Sequence, residues 1–318
     1  MKLSSLTPRF WTAATLLGVV LLIGLFGPLI VRTDPNAIIG GLYDKPSGGS
    51  IATWLGTDNE GQSVISNLVY GIRTSLLVGL LAGIIATLIG VIIGLVSGYT
   101  GGLLDDILSG FTNMALAIPP IIIIILIGVA IGNTTPVILA LVLGVTSWPW
   151  LTRAVRAQSS SVRTREHIDV AKLSGAKSSS ILIWDVLPYL LSYVVMAFVL
   201  QVSGAILAEA TLSLLGLGPA GSVSLGIMLY WALQWGSVRT GAWWAFLPPT
   251  IMLSIVAFAL LLLQSSLDEV FNPRLRRGKK KRKSKATPQT ELLGESSPQS
   301  GGGLVLETPV SATAGSKR

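Results

Sequence analysis

The sequence predicts an all-α, polytopic membrane bundle with six transmembrane helices, and three observations carry that prediction. The composition is 51% hydrophobic and only 12% charged, with a mean hydropathy of +0.69. Soluble domains carry about twice that share of charge, roughly 25%. The apolar residues fall in six runs of the length a helix needs to cross a bilayer, about 20 residues. The basic residues flank these runs asymmetrically, as topology signals do.

Taken in order, the expected spans are Phe10–Val31, Thr74–Tyr99, Ile107–Ile131, Thr135–Leu151, Val186–Leu217 and Trp243–Gln264. The first is too long for a signal-peptide core and lacks a small-x-small cleavage site after it, so it reads as a retained span. The fourth is short; the fifth is long enough to tilt or to end in a re-entrant turn. Pro119-Pro120 in the third span and Pro248-Pro249 in the sixth are expected to kink or unwind their helices. Within the external segment 32–73, Val64, Ile65, Leu68, Val69 and Ile72 share one helical face, which suggests a short helix lying in the membrane interface. Residues 218–242 read as a second external loop, and no soluble domain is visible. The chain therefore divides into an N-terminal span with its external segment (1–73), a core (74–276) with a cytosolic loop at 153–185, and a basic tail (277–318). The tail is rich in Ser, Thr, Pro and Gly and reads as disordered.

Orientation follows from Lys and Arg. With the amino terminus in the cytosol, that side holds Lys2, Arg9, the six basic residues from Arg153 to Lys177, and the run that begins at Arg274. The outer side keeps Arg32, Lys45, Arg73 and Arg239. The positive-inside rule thus puts both termini in the cytosol. Trp11, Trp148, Trp150, Trp184, Trp243 and Trp244 stand at span ends, where interfacial tryptophans belong. The net charge of +8 reflects topology and not nucleic-acid binding. The basic run Arg276–Lys285 is open to two readings, an anionic-lipid contact or a stop signal.

Several chemistries are excluded. The chain has no cysteine, so thiolate metal sites and cysteine nucleophiles are absent, and a single histidine, His167, makes no metal site. Gly175-Ala176-Lys177-Ser178 lacks the spacing of a phosphate loop, so ATP hydrolysis is not expected of this chain. No row of intramembrane carboxylates marks a proton relay. No catalytic residue is expected, and a partner has to supply the energy. Asn133-Thr134-Thr135 matches a glycosylation sequon and is read as a coincidence.

The most informative stretch is the loop between the fourth and fifth spans. A polar helix of two or three turns leads to Gly175, where glycine permits the backbone angles that end a helix. Ser178 is placed to cap the next helix, and Pro188 falls in a first turn, where its missing N–H costs little. The expectation is a rigid elbow suited to docking into a partner's groove; read without further comparison, an ordinary solvated loop fits the same residues. The pattern Asp169-x-Ala171-x3-Gly175-x11-Leu187-Pro188 resembles the EAA loop of ABC importer permeases. Asp169 stands where that family has Glu, and Val170 where it has Ala.

Further stretches narrow the resemblance to the C-type permease subunit of dipeptide, oligopeptide and nickel importers. These are Leu55-Gly56-Thr57-Asp58-Asn59-x-Gly61, Tyr70-Gly71-x-Arg73-x-Ser75-Leu76, Leu116-Ala117-Ile118-Pro119, Ala208-Glu209-Ala210-x-Leu212-Ser213-x-Leu215-Gly216-Leu217-Gly218, and Asn272-Pro273-Arg274. Gln62, Ser63, Asn67 and Leu225 depart from the family's usual Arg, Asp, Arg and Trp. The resemblance implies a type I (MetI-like) permease fold in a bacterial-type inner membrane. Its implied partners are a homologous B-type permease, two ATPase subunits that use ATP and Mg, and an extracytoplasmic substrate-binding protein, with no cofactor on this chain. It implies short peptides as substrate, with nickel or its chelates as the alternative. An ion-coupled carrier is the competing class and would need coupling residues at the midplane. Glu166, Asp169, Ala171, Gly175, Leu187 and Pro188 are the expected ATPase-coupling residues. Pro119, Gln201 and Glu209 are candidates for the path or gate. For Gln201 an interhelical hydrogen bond is the equal alternative, and Glu209, about 33 Å from the start of its span, reads first as a bracing residue. Gly79, Gly83, Gly90 and Gly94 are expected to let helices pack closely, whether statically or as a moving contact.

Overall fold

The structure, a computed structural model, describes residues 8–132 and 134–271. The basic tail, the Asn272-Pro273-Arg274 stretch, Lys2 and the Asn133 sequon lie outside the described residues. The elements are α1 (Pro8–Val31), α2 (Val64–Thr100), α3 (Gly102–Ala117), α4 (Pro120–Ile131), α5 (Pro136–Arg163), α6 (Glu166–Leu173), α7 (Ser178–Ser180), a π-helical turn (Ile181–Val186), α8 (Leu187–Leu214), α9 (Leu225–Gln234) and α10 (Trp243–Phe271). Among the described residues, five helices are long and apolar enough to cross a membrane, and the number is six if the bent pair α3–α4 is one span.

α2 is the mast of the bundle. Its 37 residues span about 55 Å, well beyond the hydrocarbon core. It opens on Ser63, whose hydroxyl accepts from Ser66 N–H at 3.2 Å. The separate interfacial helix expected over Val64–Ile72 does not exist: those residues are the first turns of α2. Val64 and Ile72 are buried, because the external segment and α1 cover the face that the pattern assigned to lipid.

The third span breaks where the prolines predict. Ile118, held extended before Pro119, ends α3, and Pro120 starts α4 at 79° to it. The sixth span is not unwound at its prolines, since α10 runs through Pro248-Pro249 without interruption. The fourth span is longer than its apolar run: α5 is capped by Thr135 and continues past Leu151 to Arg163. The loop 218–242 contains a helix, α9, packed inward through Leu225, Gly226, Met228 and Ala232.

Four apolar clusters join these elements, and α2 enters each; in the smallest, Val64 of α2 meets Met228 of α9 and Trp244 of α10. Val20, Ile72, Ile206 and Val256 tie α1, α2, α8 and α10. Val78, Leu139, Leu143 and Leu212 tie α2, α5 and α8. Leu95, Leu151, Val155, Ile168, Ile181 and Leu190 tie α2, α5, α6, the π turn and α8 at the end where the α5–α8 loop lies. Lipid tails are as apolar as these side chains, so helix association rests on close packing. The α2 glycines provide it, and they serve two neighbours. A Cβ on Gly83 would meet Val202 Cα at 3.2 Å, on α8, and Gly79 lies against Ile206 of the same helix. On Gly90 and Gly94 it would meet Leu151 Cβ at 3.0 Å and Val155 Cβ at 2.8 Å, on α5. Successive steps of four and seven residues rotate the stripe by about 100° between Gly79 and Gly98, which turns it from α8 to α5.

Candidate functional site: a helical elbow between α5 and α8

α5 passes into α6 through Thr164 and Arg165 alone. α6 has two faces. Ile168 is fully buried in the core cluster and Ala171 packs partly against it, while Glu166, Asp169, Val170 and Leu173 point outward. Glu166 and Asp169 occupy the first turn, where the helix end favours negative charge, and Lys172 stands in the last. Lys172 Nζ and Asp169 Oδ1 form an exposed ion pair at 3.0 Å.

The end of α6 is a Schellman turn. Ala176 N–H donates to Ala171 O at 3.2 Å and Gly175 N–H to Lys172 O at 3.0 Å. Gly175 takes φ +79°, and a Cβ there would meet nothing within 4 Å. Glycine is therefore required for the backbone angle and not for space. Ser178 does not cap the next helix: Lys177 holds the N-cap position and offers no side-chain bond, so Ser178 is the first helical residue. The helix then widens into the π turn just before Pro188. Proline cannot donate to Trp184 O, and Leu187 N–H reaches back five residues to Leu182 O. Leu187 packs on the core cluster, while Pro188 is exposed at the start of α8.

A second clamp holds the elbow shut. The His167 ring stacks on Tyr189 of α8 with centroids 5.0 Å apart, and Arg165 lies over the same Tyr189 ring at 4.9 Å. Neither contact was predicted, since nothing in the spacing pairs position 167 with 189. Anchored in this way, the elbow leaves an exposed apolar surface: Leu173 is 89% exposed, Trp184 75%, Val170 61% and Ile183 54%. Glu166, Asp169, Lys172 and Lys177 are exposed on the same segment.

The candidate path residues lie elsewhere. Pro119 is exposed at the α3–α4 break. Gln201 Nε2 donates to Ser147 O at 3.0 Å, linking α8 to α5. Glu209 is fully buried and accepts from Ser75 (2.9 Å), Ser213 (2.8 Å) and Ser224 (2.6 Å). Ser224 caps α9 and Ser75 Oγ accepts from Leu225 N–H, so one carboxylate pins the start of α9 to α2 and α8. At the same end, Asp58 accepts from the N–H groups of Glu60 and Gln62 and from Asn67 Nδ2, each at 2.9 Å. Burial pushes its carboxyl above the usual range, and these donors partly offset the shift. A cavity of 410 Å³ opens beside it, lined by Asp58, Asn67, Gly132, Leu217, Tyr230 and Trp231.

The family model described as "Binding-protein-dependent transport system inner membrane component" matches residues 90–277, which include the elbow, α8 and α10. The chain belongs to that family. The chain is 33% identical over 225 residues to the dipeptide transport system permease protein DppC of Bacillus subtilis, covering 70% of this chain and 69% of that one. It is 32% identical over 270 residues to a putative peptide transport system permease protein of Brucella suis, covering 84% and 88%. Among solved structures, an inward-facing MetNI methionine ABC transporter matches with a TM-score of 0.53 at 19% identity, over 65% of this chain and 97% of that one. At that identity the match shows the fold, a MetI-like permease fold. As a family member, the chain is an inner-membrane component of a transport system.

Proposed function

We propose that this chain is the permease half of an ATP-driven importer of short peptides. The observation that carries the reading is the elbow: a short helix anchored by one buried isoleucine and closed by a glycine turn, with an apolar surface left exposed. Two relatives named as peptide permeases support the substrate class. In this reading the chain is not itself an enzyme and binds no cofactor directly. Two partner ATPases, using ATP and Mg, each grip one permease subunit, and the mate is a homologous B-type chain. The distribution of Lys and Arg supports a cytosolic side for both termini and the elbow. The cavity beside Asp58 then faces the external binding protein that delivers substrate.

Closure of the ATPases moves α6, and α6 cannot move alone. Ile168 and the Tyr189 clamp fasten it to α5 and α8. The path opens outward and then inward because the ATPase surface contacts the two states differently. The test is uptake of a labelled tripeptide by cells carrying Gly175→Leu or Ala171→Leu, with the complex purified through a tag on this subunit. The expected result is intact assembly with ATPases, continued ATP hydrolysis and lost uptake. Normal uptake in either variant overturns the coupling role.

A further inference from the structure

α3 is the least embedded of the long helices. Among its residues, all described, Thr112 is the buried one. Leu103, Ile107, Phe111 and Met114 are exposed. It also lies against α2, but most of its side-chain bonds run to α5. Arg156 makes a bidentate pair with Asp105, Nε to Oδ1 at 2.6 Å and Nη2 to Oδ2 at 2.7 Å. Ser109 Oγ donates to the same carboxylate at 3.0 Å, and Ser97 of α2 donates to it as well. Farther along, Arg153 Nη2 donates to Asn113 Oδ1 at 2.9 Å. Phe111 stacks on Trp148 at 5.7 Å.

These contacts form a ladder with directional sense. Asp105, Ser109 and Asn113 recur every four residues and share one face of α3. Arg153 and Arg156 share one face of α5. The backbone behind Arg156 is held against α2, where Gly98 leaves no room for a Cβ between the helices. Arg156 lies two turns before the end of α5, and α6 follows through Thr164 and Arg165. A displacement of α6 therefore passes through the two-residue link Thr164-Arg165 and the last two turns of α5 to Arg156, and crosses to α3 through a paired, two-point bond. Such bonds resist rotation as well as separation. At the far end of α3 lies the 79° break into α4.

We propose that the ladder Asp105–Arg156 and Asn113–Arg153 is the strut that carries displacement of the elbow from α5 to the bent span α3–α4. The strut rests on the transport reading above. Asp105, Arg153, Arg156 and Asn113 are positioning residues that touch no substrate.

The absence of cysteine makes the test direct. A fluorescent label is placed on Met114→Cys, on the exposed face of α3, or on Leu173→Cys, on the exposed face of α6. The whole complex is reconstituted with its ATPases, and the change in signal on adding ATP and vanadate is measured. In the parent both probes respond. In Arg156→Gln or Asp105→Asn the α3 response falls about threefold, within the range over which mutations in coupling networks act, while the α6 response persists. The swap Asp105→Arg with Arg156→Asp recovers much of the α3 response. So does Asn113→Asp in the Arg156→Gln background, by turning the second rung into an ion pair with Arg153. An unchanged α3 response in the single variants, an equal loss at both probes, or no recovery in either rescue overturns the strut. Silence of both probes in the parent is a different result: it removes the transport reading, and the strut with it.

Discussion

At the residue scale, Gly175 and Glu209 show how one side chain, or its absence, fixes a junction. Gly175 adopts φ +79° in open space, so substitutions there are ranked by backbone cost and not by size. Gly175→Asn should be mild, Gly175→Ala should cost about 1 kcal/mol, and the β-branched Gly175→Val more. Hydrogen exchange of the 166–176 amides measures the order. Replacement by any residue producing the same loss would point to a packing role instead. Glu209→Ala strips acceptors from three buried hydroxyls at once. It should destabilise the protein by about 2–4 kcal/mol, read as a lowered thermal midpoint in detergent, and loosen α9 in particular. Glu209→Gln keeps one strong acceptor and should cost less. That Gly175 ends a helix was legible because the turn is local, closed by bonds within residues 171–176. The partners of Glu209 were not legible, because Ser75 lies 134 residues away. The same holds for Asp105 and Arg156, 51 residues apart: each reads alone as a charged residue near a span end.

At the element scale, apolar run length found each span, and departures arose where something other than lipid decides the boundary. α2 starts ten residues before its expected first residue, Thr74, because the external segment buries its opening turns. α5 continues beyond its apolar run because its last turns rest on protein, with Val155 and Val162 buried. The π turn before Pro188 leaves no compositional mark. The proline that occasions it was visible, but which backbone bonds would rearrange was not. Spacing of small residues foretold close helix contact, although the drift of the stripe from α8 to α5 follows only once the helix is seen to be continuous. Gly94→Leu should separate α2 from α5, since a Cβ alone would sit 2.8 Å from Thr152 O. Gly204→Leu, with nothing within 4 Å, should be tolerated within this subunit. Yield and thermal midpoint of the purified chain distinguish the two. Equal tolerance at both positions contradicts the packing account.

At the scale of the whole molecule, the proposed importer role needs a surface through which a partner's motion reaches the bundle, and the elbow is an anchored surface of that kind. The core cluster joins that surface to α2, α5 and α8 together, so a push there is not absorbed locally. The most direct test is photocrosslinking from position 173 in native membranes, with benzoylphenylalanine in place of Leu173. The account predicts an adduct with a nucleotide-hydrolysing subunit, its yield changing between ATP-bound and nucleotide-free states. An adduct with an extracytoplasmic protein, or none with any ATPase in cells that are actively importing, contradicts it.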